Sequence, residues 1–446
     1  MNQVVKGDKK IIRAWTMYDW ANSVYSLTIA TAVFPIYYLN ATKNADGSDI
    51  VEFLGMQFRN SALYSYSISF AFVFIALLSP LLSGIADSSG SKKGFMKFFA
   101  WMGSLACMGL YFFVPGKLLI GISCFVIAAI GFAGSIVFCN AYLPEIAEPK
   151  DQDKVSARGF AMGYIGSSIL LIFNLAMIMS PATFGVDGDP WLPSRISFLT
   201  VGLWWIGFSA YSFYYLPSNV YHEKRDGNYL TKGYKELFIV WKQLKQQSVL
   251  TGFLISFFFY NMGVQTVMYV ASIFGEKEIK LGTSELIITV LIIQFVGIAG
   301  AYLFSYLSRR LGNFNALKIA IVIWIGICVA AFNLYEPFSF YILGGVVGMV
   351  MGGIQALSRS TYSKLLPETH NHASYFSFYD VCDKLGIVLG TLSYGMIEEI
   401  TGSMRNSIIA LAGFFIIGIV LLIITQVRNR KSNLSSTEID LNSLQT

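Results

Sequence analysis

The sequence has few charged residues. Asp, Glu, Lys and Arg together make up 13% of its 446 positions, whereas hydrophobic residues make up 55%. Soluble domains carry about 25% charged residues, and a soluble protein of this length needs enough charge to cover the surfaces of two or more domains. The composition therefore excludes a soluble globular protein and predicts that the surplus apolar surface faces lipid.

Signatures of several other classes are also missing. The five cysteines show no CxxC spacing and fall within predicted helices, which argues against a disulfide framework. The three histidines are too few and too badly placed for a metal site. The sequence has no GxxxxGK[ST] phosphate-binding loop and no nucleophile at an interpretable spacing from a base. We therefore expect no enzymatic activity, no metal and no cofactor.

The apolar residues are grouped in runs of about 20, the length that crosses a hydrocarbon core of about 30 Å. The first run lacks the short core and small-residue cleavage site of a secretory signal and is expected to remain as a span. Runs such as Leu286–Ile293 do not alternate as the strands of a membrane barrel would, and a helix satisfies its own backbone groups in lipid. The twelve predicted helical spans are residues 14–38, 61–84, 94–114, 118–141, 158–180, 195–216, 248–273, 283–307, 315–334, 338–358, 373–397 and 403–426.

The basic residues are distributed unevenly across the predicted membrane. Of the 32 Lys and Arg residues, 24 lie at the N-terminus or in loops after even-numbered spans, 7 lie on the other side, and Lys384 lies within a span. Because basic loops stay in the cytoplasm, we predict that both termini are cytoplasmic. A bacterial inner membrane fits this distribution, and an organelle membrane is the alternative. This distribution accounts for the net charge of +6 without a nucleic-acid partner.

The longest polar interruption separates six predicted spans from the other six. We predict an N-terminal six-helix bundle at residues 1–216, a cytoplasmic linker at 217–247, a C-terminal six-helix bundle at 248–426 and a disordered cytoplasmic tail at 427–446. Within the linker, Leu237–Leu244 is either a short amphipathic helix on the anionic inner leaflet or part of a solvated basic segment. The predicted fold class is thus an all-α integral membrane protein with twelve transmembrane helices in two bundles.

Three polar patterns interrupt the apolar spans. The first span contains Tyr18-Asp-Trp-Ala-Asn-Ser-Val-Tyr25, the fifth begins with Ser156-Ala-Arg-Gly-Phe-Ala-Met-Gly-Tyr-Ile-Gly166, and the tenth ends with Gly352-Gly-Ile-Gln-Ala-Leu-Ser-Arg-Ser-Thr-Tyr-Ser363. These patterns resemble the vacuole-effluxer branch of the major facilitator superfamily, which includes fungal autophagy-related amino-acid effluxers. The resemblance implies the major facilitator fold, in which two halves rock about a site near the membrane midplane.

The loop after the second span resembles the superfamily signature between its second and third helices. Asp87 is followed three residues later by Gly90 and then by Lys92. The glycine permits a tight turn, and the acid can meet the positive end of a neighbouring helix. The resemblance implies a cytoplasmic gate that includes these residues. In the second half Arg309 stands where the corresponding acid would be, so we expect an asymmetric gate.

The first span carries a polar face with an acid. An ionisable residue at the centre of a span costs about 2.5–3.5 kcal/mol, so Asp19 is a functional candidate. Asp19, Asn22 and Ser23 share one helix face, and Tyr25 belongs to the same motif. The resemblance implies that this helix lines a central cavity. The alternative is that Asp19 pairs with a basic residue near the cytoplasmic end. Since no cation stands near it in the sequence, Asp19 is the first candidate to carry a coupling proton.

The eleventh span carries Asp380, Asp383 and Lys384. Asp380 and Lys384 are spaced i, i+4 with the acid first, which favours a pair on one helix. This pairing argues against Asp380 as a proton carrier, because a nearby cation favours the ionised acid. Asp383 is then expected to need another partner, and Arg359 in the expected gate is a candidate. The alternative is a buried ion cluster that braces the two halves.

Neutral polar residues lie on two further spans. Asn261 and Gln265 share one face of the seventh span, and Gln355 lies in the tenth. Their amides can bind the carboxylate or the amine of an amino acid. The alternative is that they bond one helix to another, for about 0.6 kcal/mol each.

These features together predict a transporter. We expect a secondary active transporter or facilitator that acts as a monomer by alternating access. Its partners are the lipid bilayer and a small polar solute, such as an amino acid or short peptide, with or without protons. The alternative function is a non-transporting membrane sensor or assembly platform, which would have no cavity between the halves.

Overall fold

The computed structural model describes residues 5–44, 48–218 and 229–443. Its helices are α1 (Lys9–Val24), α2 (Phe34–Ala41), α3 (Asn60–Ser89), α4 (Lys92–Gly109), α5 (Leu118–Asn140), α6 (Leu143–Ile146), α7 (Gln152–Met179), α8 (Leu192–Tyr215), α9 (Tyr229–Gln246), α10 (Ser248–Lys277), α11 (Thr283–Leu311), α12 (Asn313–Phe332), α13 (Pro337–Leu365), α14 (His372–Thr401) and α15 (Met404–Ser443). A π-helical segment, Tyr25–Ala32, follows α1 and leads to α2. Two strands, β1 (Ile50–Phe53) and β2 (Met56–Arg59), precede α3.

These helices confirm the predicted all-α membrane fold. Among the described residues, ten helices are long and apolar enough to cross a membrane, and the bent pair Lys9–Ala32 and Phe34–Ala41 makes an eleventh span. The remaining predicted span is α14, which is 30 residues long but carries Asp380, Asp383 and Lys384. The helices α1 to α8 form the first half of the protein, and α10 to α15 form the second half.

We call the end of the bundle at which α1 begins the terminal side. The N–H of Gly7, just before α1, donates to the carbonyl of Ile146 at 2.8 Å. Lys93 Nζ, at the start of α4, donates to the carbonyl of Leu216, just after α8, at 2.7 Å. These contacts bring the starts of α1 and α4 to the same side as the ends of α6 and α8, as alternating crossings require.

The first span is bent by 41° where the π-helical segment meets α2. The N–H of Val33 donates to the carbonyl of Thr28, five residues earlier, at 2.9 Å. Such wide turns inside helices are frequent at functional sites. The apolar run predicted one continuous span at residues 14–38 and gave no sign of this bend.

Two predicted boundaries differ from the structure. α13 continues to Leu365, so Arg359 lies inside a helix and not at its end. α15 continues to Ser443, so residues 427–443, which the sequence predicted as a disordered tail, are helical. The stretch contains no Gly or Pro that would end the helix. The last residues of the predicted tail, 444–446, lie outside the described residues.

The predicted linker contains a helix. α9 (Tyr229–Gln246) includes Leu237–Leu244, so this segment is helical. Residues 219–228 of the predicted linker lie outside the described residues. The structure also contains an antiparallel hairpin between the first two spans, in which Ile50 pairs with Arg59. Its turn has positive φ at Leu54 (52°) and Gly55 (78°), as a two-residue hairpin turn requires.

Glycines let α11 and α13 approach each other closely. A Cβ at Gly300 would overlap the carbonyl oxygen of Met349, and one at Gly352 would overlap the carbonyl oxygen of Gly297. Both obstacles are backbone atoms, which cannot rotate away. Small residues at a helix crossing permit the van der Waals contact that drives helix association in membranes. Gly352 of the tenth-span motif therefore has a packing role.

Replacing Gly352 with alanine is expected to lower the free energy of unfolding by about 1–3 kcal/mol, as overpacking usually does. Gly326 of α12 provides the matched control, since no atom of another element lies within 4 Å of a Cβ built there. Gly326→Ala is expected to be neutral or slightly stabilising. Thermal unfolding of the two variants in detergent measures the difference, and equal melting temperatures would contradict the close packing of α11 on α13.

Candidate functional site

A cavity of about 220 Å³ lies between the two halves. Its lining comes from α1, the π-helical segment, α3, α5 and α7 of the first half and from α10, α11, α13 and α14 of the second. Cavities that hold drug-sized ligands have volumes of about 300–1,000 Å³. The size of this cavity therefore suits a smaller solute.

Most of the predicted site residues line this cavity. They are Asp19, Asn22, Tyr25, Asn261, Gln265, Gln355, Asp383 and Lys384. Arg359, which the sequence assigned to the gate, lines it as well. Asp380 is not part of the lining and is buried in α14, with 3% of its side chain exposed. The structure thus brings residues of four distant predicted spans to one place.

Arg359 of α13 uses all of its donors within the protein. Nη1 and Nη2 both donate to Oδ2 of Asp19, each at 3.2 Å. Nη1 also donates to Oδ1 of Asn140 at 3.2 Å, while Nε and Nη2 donate to Oγ and the carbonyl of Ser156 at 2.9 Å each. A guanidinium has five N–H donors, so none remains for a solute. Since its three partners belong to the first half, Arg359 bonds the two halves together.

This ion pair is largely buried. Only 4% of the Arg359 side chain and 13% of the Asp19 side chain are exposed. The guanidinium carbon lies over the rings of Trp15, at 4.6 Å, and Phe160, at 4.2 Å, an arrangement that stabilises a desolvated cation. A Cβ at Gly159 would overlap Oδ2 of Asp19, so this glycine provides the space for the carboxylate.

The glycines of the fifth-span motif allow α1 to pack on α7. A Cβ at Gly163 would overlap Oγ of Ser23, and one at Gly166 would lie 2.8 Å from the carbonyl oxygen of Trp20. Together with Gly159, they form the small-residue face expected of helices in close contact. This packing brings the polar face of α1 to the cavity.

The prediction that Arg359 pairs with Asp383 was wrong. The sequence suggested Asp383, whereas the guanidinium contacts Asp19. Because α13 continues past residue 358, Arg359 points from inside the helix towards the first half. Asp19 has no cation nearby in the sequence, yet folding brings one to it from the other half. The alternative prediction for Asp19, pairing with a basic residue, is the one that the structure contains, and the carboxylate still lines the cavity.

Lys384 pairs with two acids on its own helix. Its Nζ donates to Oδ2 of Asp383 at 2.6 Å and lies 3.3 Å from Oδ1 of Asp380. The other oxygen of Asp383 accepts hydrogen bonds from the amides of Asn261 (2.8 Å) and Gln265 (2.9 Å) of α10. Both amides thus bond α10 to α14 while they line the cavity. Asp383 is therefore fully satisfied without Arg359.

Asp380 is the least satisfied of these acids. Its Oδ2 is buried and has no hydrogen-bond partner among the described residues. It shares the single cation Lys384 with Asp383, so two buried carboxylates face one ammonium. An uncompensated charge in such surroundings is costly. Within the described part of the chain, no group of three or more His, Cys, Asp or Glu side chains could hold a metal ion.

Three cavity residues have polar atoms without a partner in the described structure. They are the amide nitrogen of Asn22, the hydroxyl of Tyr25 and the amide oxygen of Gln294. Sequence reasoning missed Gln294, which follows the apolar run Leu286–Ile293 in α11. An amide in such a run is the signal that could have identified it, because polar side chains within spans face the protein interior. All three atoms are buried, so a solute would reach them only after the cavity wall moves.

The predicted gate acid contacts the second half. The carboxylate of Asp87, at the end of α3, accepts the N–H groups of Ala373 (3.2 Å) and Ser374 (2.7 Å) and the Ser374 hydroxyl (2.8 Å). These donors belong to the first turn of α14, the positive end that a carboxylate favours. Gly90 ends α3 with φ of 65°, the left-handed conformation of a tight turn.

A second acid lies beside the same helix end, and sequence reasoning missed it. Glu145 of α6 is 2% exposed and pairs with Lys92 of α4 and with Nδ1 of His372, the latter at 3.1 Å. His372 is the first residue of α14. Glu145 was overlooked because it lies in the predicted loop between spans 118–141 and 158–180, where an acid is usually solvated. Two carboxylates of the first half, those of Asp87 and Glu145, thus contact the start of α14.

A third acid joins the halves at another point of the terminal side. Asp153, at the start of α7, accepts hydrogen bonds from Ser308 (2.8 Å), Asn313 (2.8 Å) and Lys364 (2.6 Å). The prediction that Arg309 belongs to the gate is wrong. Arg309 is exposed and lies over the ring of Tyr306 in its own helix. Adjacent residues of a helix point about 100° apart, so Ser308 faces the first half and Arg309 does not.

A comparison with known families identifies the chain. The profile of the family described as "Vacuole effluxer Atg22 like" matches residues 7–435. The chain belongs to this family. This Atg22-like chain is a multi-pass integral membrane protein and a transporter of the major facilitator type, which confirms the predicted branch.

Relatives of this Atg22-like chain occur in bacteria and fungi. It is 32% identical over 410 residues to the "Uncharacterized MFS-type transporter YxiO" of Bacillus subtilis, covering 92% of this chain and 93% of that protein. It is 26% identical over 466 residues to "Autophagy-related protein 22" of Kluyveromyces lactis, covering 92% of each chain. The likeness therefore extends over nearly the full length of both proteins.

The fold of the Atg22-like chain is that of solved major facilitator structures. It superimposes on the transporter FucP in its outward conformation with a TM-score of 0.67 and 11% identity, covering 93% of this chain and 97% of that one. FucP is described as the fucose:proton symporter of E. coli. At this level of identity the comparison shows the fold of the Atg22-like chain, with two six-helix bundles around a central cavity.

Proposed function

We propose that this chain is a secondary transporter that moves a small polar solute by alternating access. The observation that carries the proposal is the cavity between the halves, whose walls contain charged groups of both signs and polar atoms without a partner. A sensor or assembly platform requires no such cavity. The vacuole-effluxer family and the polar lining favour an amino acid or a short peptide as the solute.

The cavity favours a solute with hydrogen-bonding groups of both kinds. Asn22 offers a donor, Gln294 offers an acceptor, and the hydroxyl of Tyr25 can act as either. The volume of about 220 Å³ favours an amino acid over a long peptide. Arg359 is committed to the first half in this conformation, so we assign binding of the solute to these three unpaired groups, which it would reach as the cavity opens.

The bonds between the halves indicate how access would alternate. Asp87, Glu145, Asp153 and Arg359 all make their contacts between the halves near the terminal side. The structure is thus the state in which the terminal side is closed. Opening that side would require these bonds to break, and the solute would then supply part of the lost interaction.

We assign a coupling proton to Asp380, in place of the first candidate, Asp19. Arg359 balances the charge of Asp19, and Lys384 together with two amides balances that of Asp383. A proton on Asp380 would leave one buried anion for the one buried cation of α14. The charge balance of the cavity wall therefore supports proton binding at this acid.

The distribution of basic residues supports a cytoplasmic location of both termini, since 24 of the 32 Lys and Arg residues lie at the N-terminus or in loops predicted to follow even-numbered spans. The bacterial relative favours an inner membrane. A central cavity enclosed by one chain supports a monomer as the transporting unit.

Counterflow of pooled labelled amino acids and dipeptides into proteoliposomes, with and without an imposed pH gradient, tests this function. We expect exchange of at least one solute. Tyr25→Phe, which removes only the free hydroxyl, should raise KM by about 2–10-fold, the value of one hydrogen bond. Tyr66→Phe on the exposed surface of α3 is the matched control and should leave KM unchanged.

Each outcome has a defined meaning. Exchange of no solute in a broad screen would favour the sensor or platform. Exchange that no pH gradient drives would make the protein a facilitator. An equal effect of the two Tyr→Phe variants would remove Tyr25 from the binding site while leaving the transport function in place.

A further inference from the structure

The linker helix α9 packs against the terminal side with one face. Gly233, Val240 and Leu244 are buried, with Val240 fully buried and Leu244 5% exposed. These residues are spaced seven and four apart, so they share one face of the helix. The helix is therefore a fixed part of the protein surface between residues 233 and 246.

On the first half, α9 touches the end of α3 through backbone atoms. A Cβ at Gly84 would lie 2.5 Å from the carbonyl oxygen of Gly233, and one at Gly233 would lie 3.0 Å from the backbone nitrogen of Ile85. The contact is two residues away from Asp87, which bonds α3 to α14. A movement of the end of α3 would therefore change the surface on which α9 packs.

On the second half, α9 contacts the start of α14 and the loop before it. Gln243 accepts a hydrogen bond from the hydroxyl of Tyr375 at 2.9 Å, and Glu236 accepts one from the amide of Asn371 at 2.9 Å. The ring of Trp241 stacks on Phe378 with 5.6 Å between the centroids. α9 thus bridges the same two helices, α3 and α14, that Asp87 joins.

The outer face of α9 is both aromatic and basic. Tyr234, Phe238 and Trp241 are 61%, 68% and 43% exposed. Lys235, Lys242 and Lys245 are exposed beside them, and Nζ of Lys245 lies 4.7 Å from the centre of the Trp241 ring. We call these six residues the basic-aromatic face.

This combination fits the surface of a bilayer. Helices that lie in the membrane interface bury aromatic side chains at the boundary of the acyl chains and direct lysines to the headgroups. Lysines near an anionic surface attract it electrostatically. α9 packs against the end of α3, a candidate membrane span, so we expect the bilayer surface beside α9, where the charge of its lysines is complementary to anionic headgroups.

We propose that the basic-aromatic face of α9 binds anionic phospholipid headgroups and that this binding stabilises the closed terminal side. A lipid that holds α9 against α3 and α14 favours the conformation in which these two helices are in contact, because a ligand shifts an equilibrium towards the state that it binds better. The second part of the proposal, the effect on the gate, rests on the proposed alternating access.

The lipid preference of the full-length protein tests the first part. Electron spin resonance of spin-labelled phosphatidylglycerol and phosphatidylcholine, in vesicles of mixed composition, reports how many lipids of each kind are immobilised by the protein. We expect the triple variant Lys235→Gln, Lys242→Gln and Lys245→Gln to lower the preference for phosphatidylglycerol about tenfold. Lysine-to-arginine changes at the same positions should retain it.

A matched control has the same loss of charge elsewhere on the terminal side. Lys150→Gln, Lys154→Gln and Arg310→Gln remove three exposed basic residues away from α9 and should leave the preference within about twofold of the wild type. An equal loss in both triple variants would overturn the site on α9, since it would mean that only net charge attracts the lipid. An unchanged preference in the α9 variant would overturn it as well.

The gate is measured without any transport assay. Spin labels on cysteines replacing Ser91, after α3, and Glu368, before α14, report the distance between the halves by double electron–electron resonance. Phosphatidylglycerol should increase the closed population in the wild type and not in the α9 variant. Binding of lipid with no change in this distance would overturn the link to the gate. Since neither readout needs a solute, failure of the proposed transport function would be recognised separately by the counterflow assay.

Discussion

Replacing Arg359 with glutamine is expected to lower the free energy of unfolding by about 3–5 kcal/mol and to reduce transport at least about a hundredfold. The substitution removes the cation that compensates buried Asp19 and five hydrogen bonds to the first half. It therefore affects both the packing of the halves and the closed state. Thermal unfolding in detergent and counterflow in proteoliposomes measure the two effects.

A double-mutant cycle separates the ion pair from the other contacts of Arg359. Asp19→Asn combined with Arg359→Gln is expected to be more stable than Arg359→Gln alone, because no buried charge is then left unpaired. Arg310→Gln, an exposed arginine of α11, is the matched control and should change stability by less than about 0.5 kcal/mol. Strictly additive effects of the two substitutions would show that Asp19 and Arg359 do not interact.

Replacing Asp380 with asparagine is expected to abolish accumulation driven by a pH gradient and to leave counterflow within about threefold of the wild type. Asparagine has nearly the same shape as a protonated aspartate but cannot release a proton. With one proton moved per solute, a gradient of one pH unit changes the accumulation ratio about tenfold. The variant should lose this response, in whichever direction the gradient acts on the wild type.

Two further acid variants make the result specific. Asp383→Asn should reduce counterflow itself, because its carboxylate orients Asn261, Gln265 and Lys384 in the cavity wall. Asp19→Asn should reduce stability but retain the response to the gradient. If Asp380→Asn still accumulates solute and Asp19→Asn does not, then Asp19 carries the proton.

The sequence was sufficient for the fold and for most of the cavity. Runs of about 20 apolar residues located the spans, since only helices of that length cross a bilayer without exposing backbone groups. Polar residues within the spans identified Asp19, Asn22 and Lys384 as facing the interior. The contact of Asp87 with the positive end of a helix could also be anticipated, because a helix end attracts a carboxylate in any fold.

Contacts between distant helices could not be predicted. Spacing on one helix determines which residues share a face, as for Asp380 and Lys384, but it does not show which carboxylate Arg359 meets across the cavity. Glu145 and Asp153 were missed for a related reason. Acids in predicted loops are expected to be solvated. That these two are buried is evident only when the contacts with the second half are known.

The wide turn between Tyr25 and Ala32 makes the number of residues in this stretch as important as their identity. A π-helical turn contains about one residue more than an α-helical turn, so the loss of one residue here can be absorbed if the segment becomes α-helical. Phe34 stacks on Phe125 at 4.8 Å, and the hydroxyl of Tyr37 bonds to the carbonyl of Phe113; these contacts fix the position of α2. The gain of one residue could not be absorbed in this way, so we expect an insertion in this segment to displace α2 more than a single deletion does.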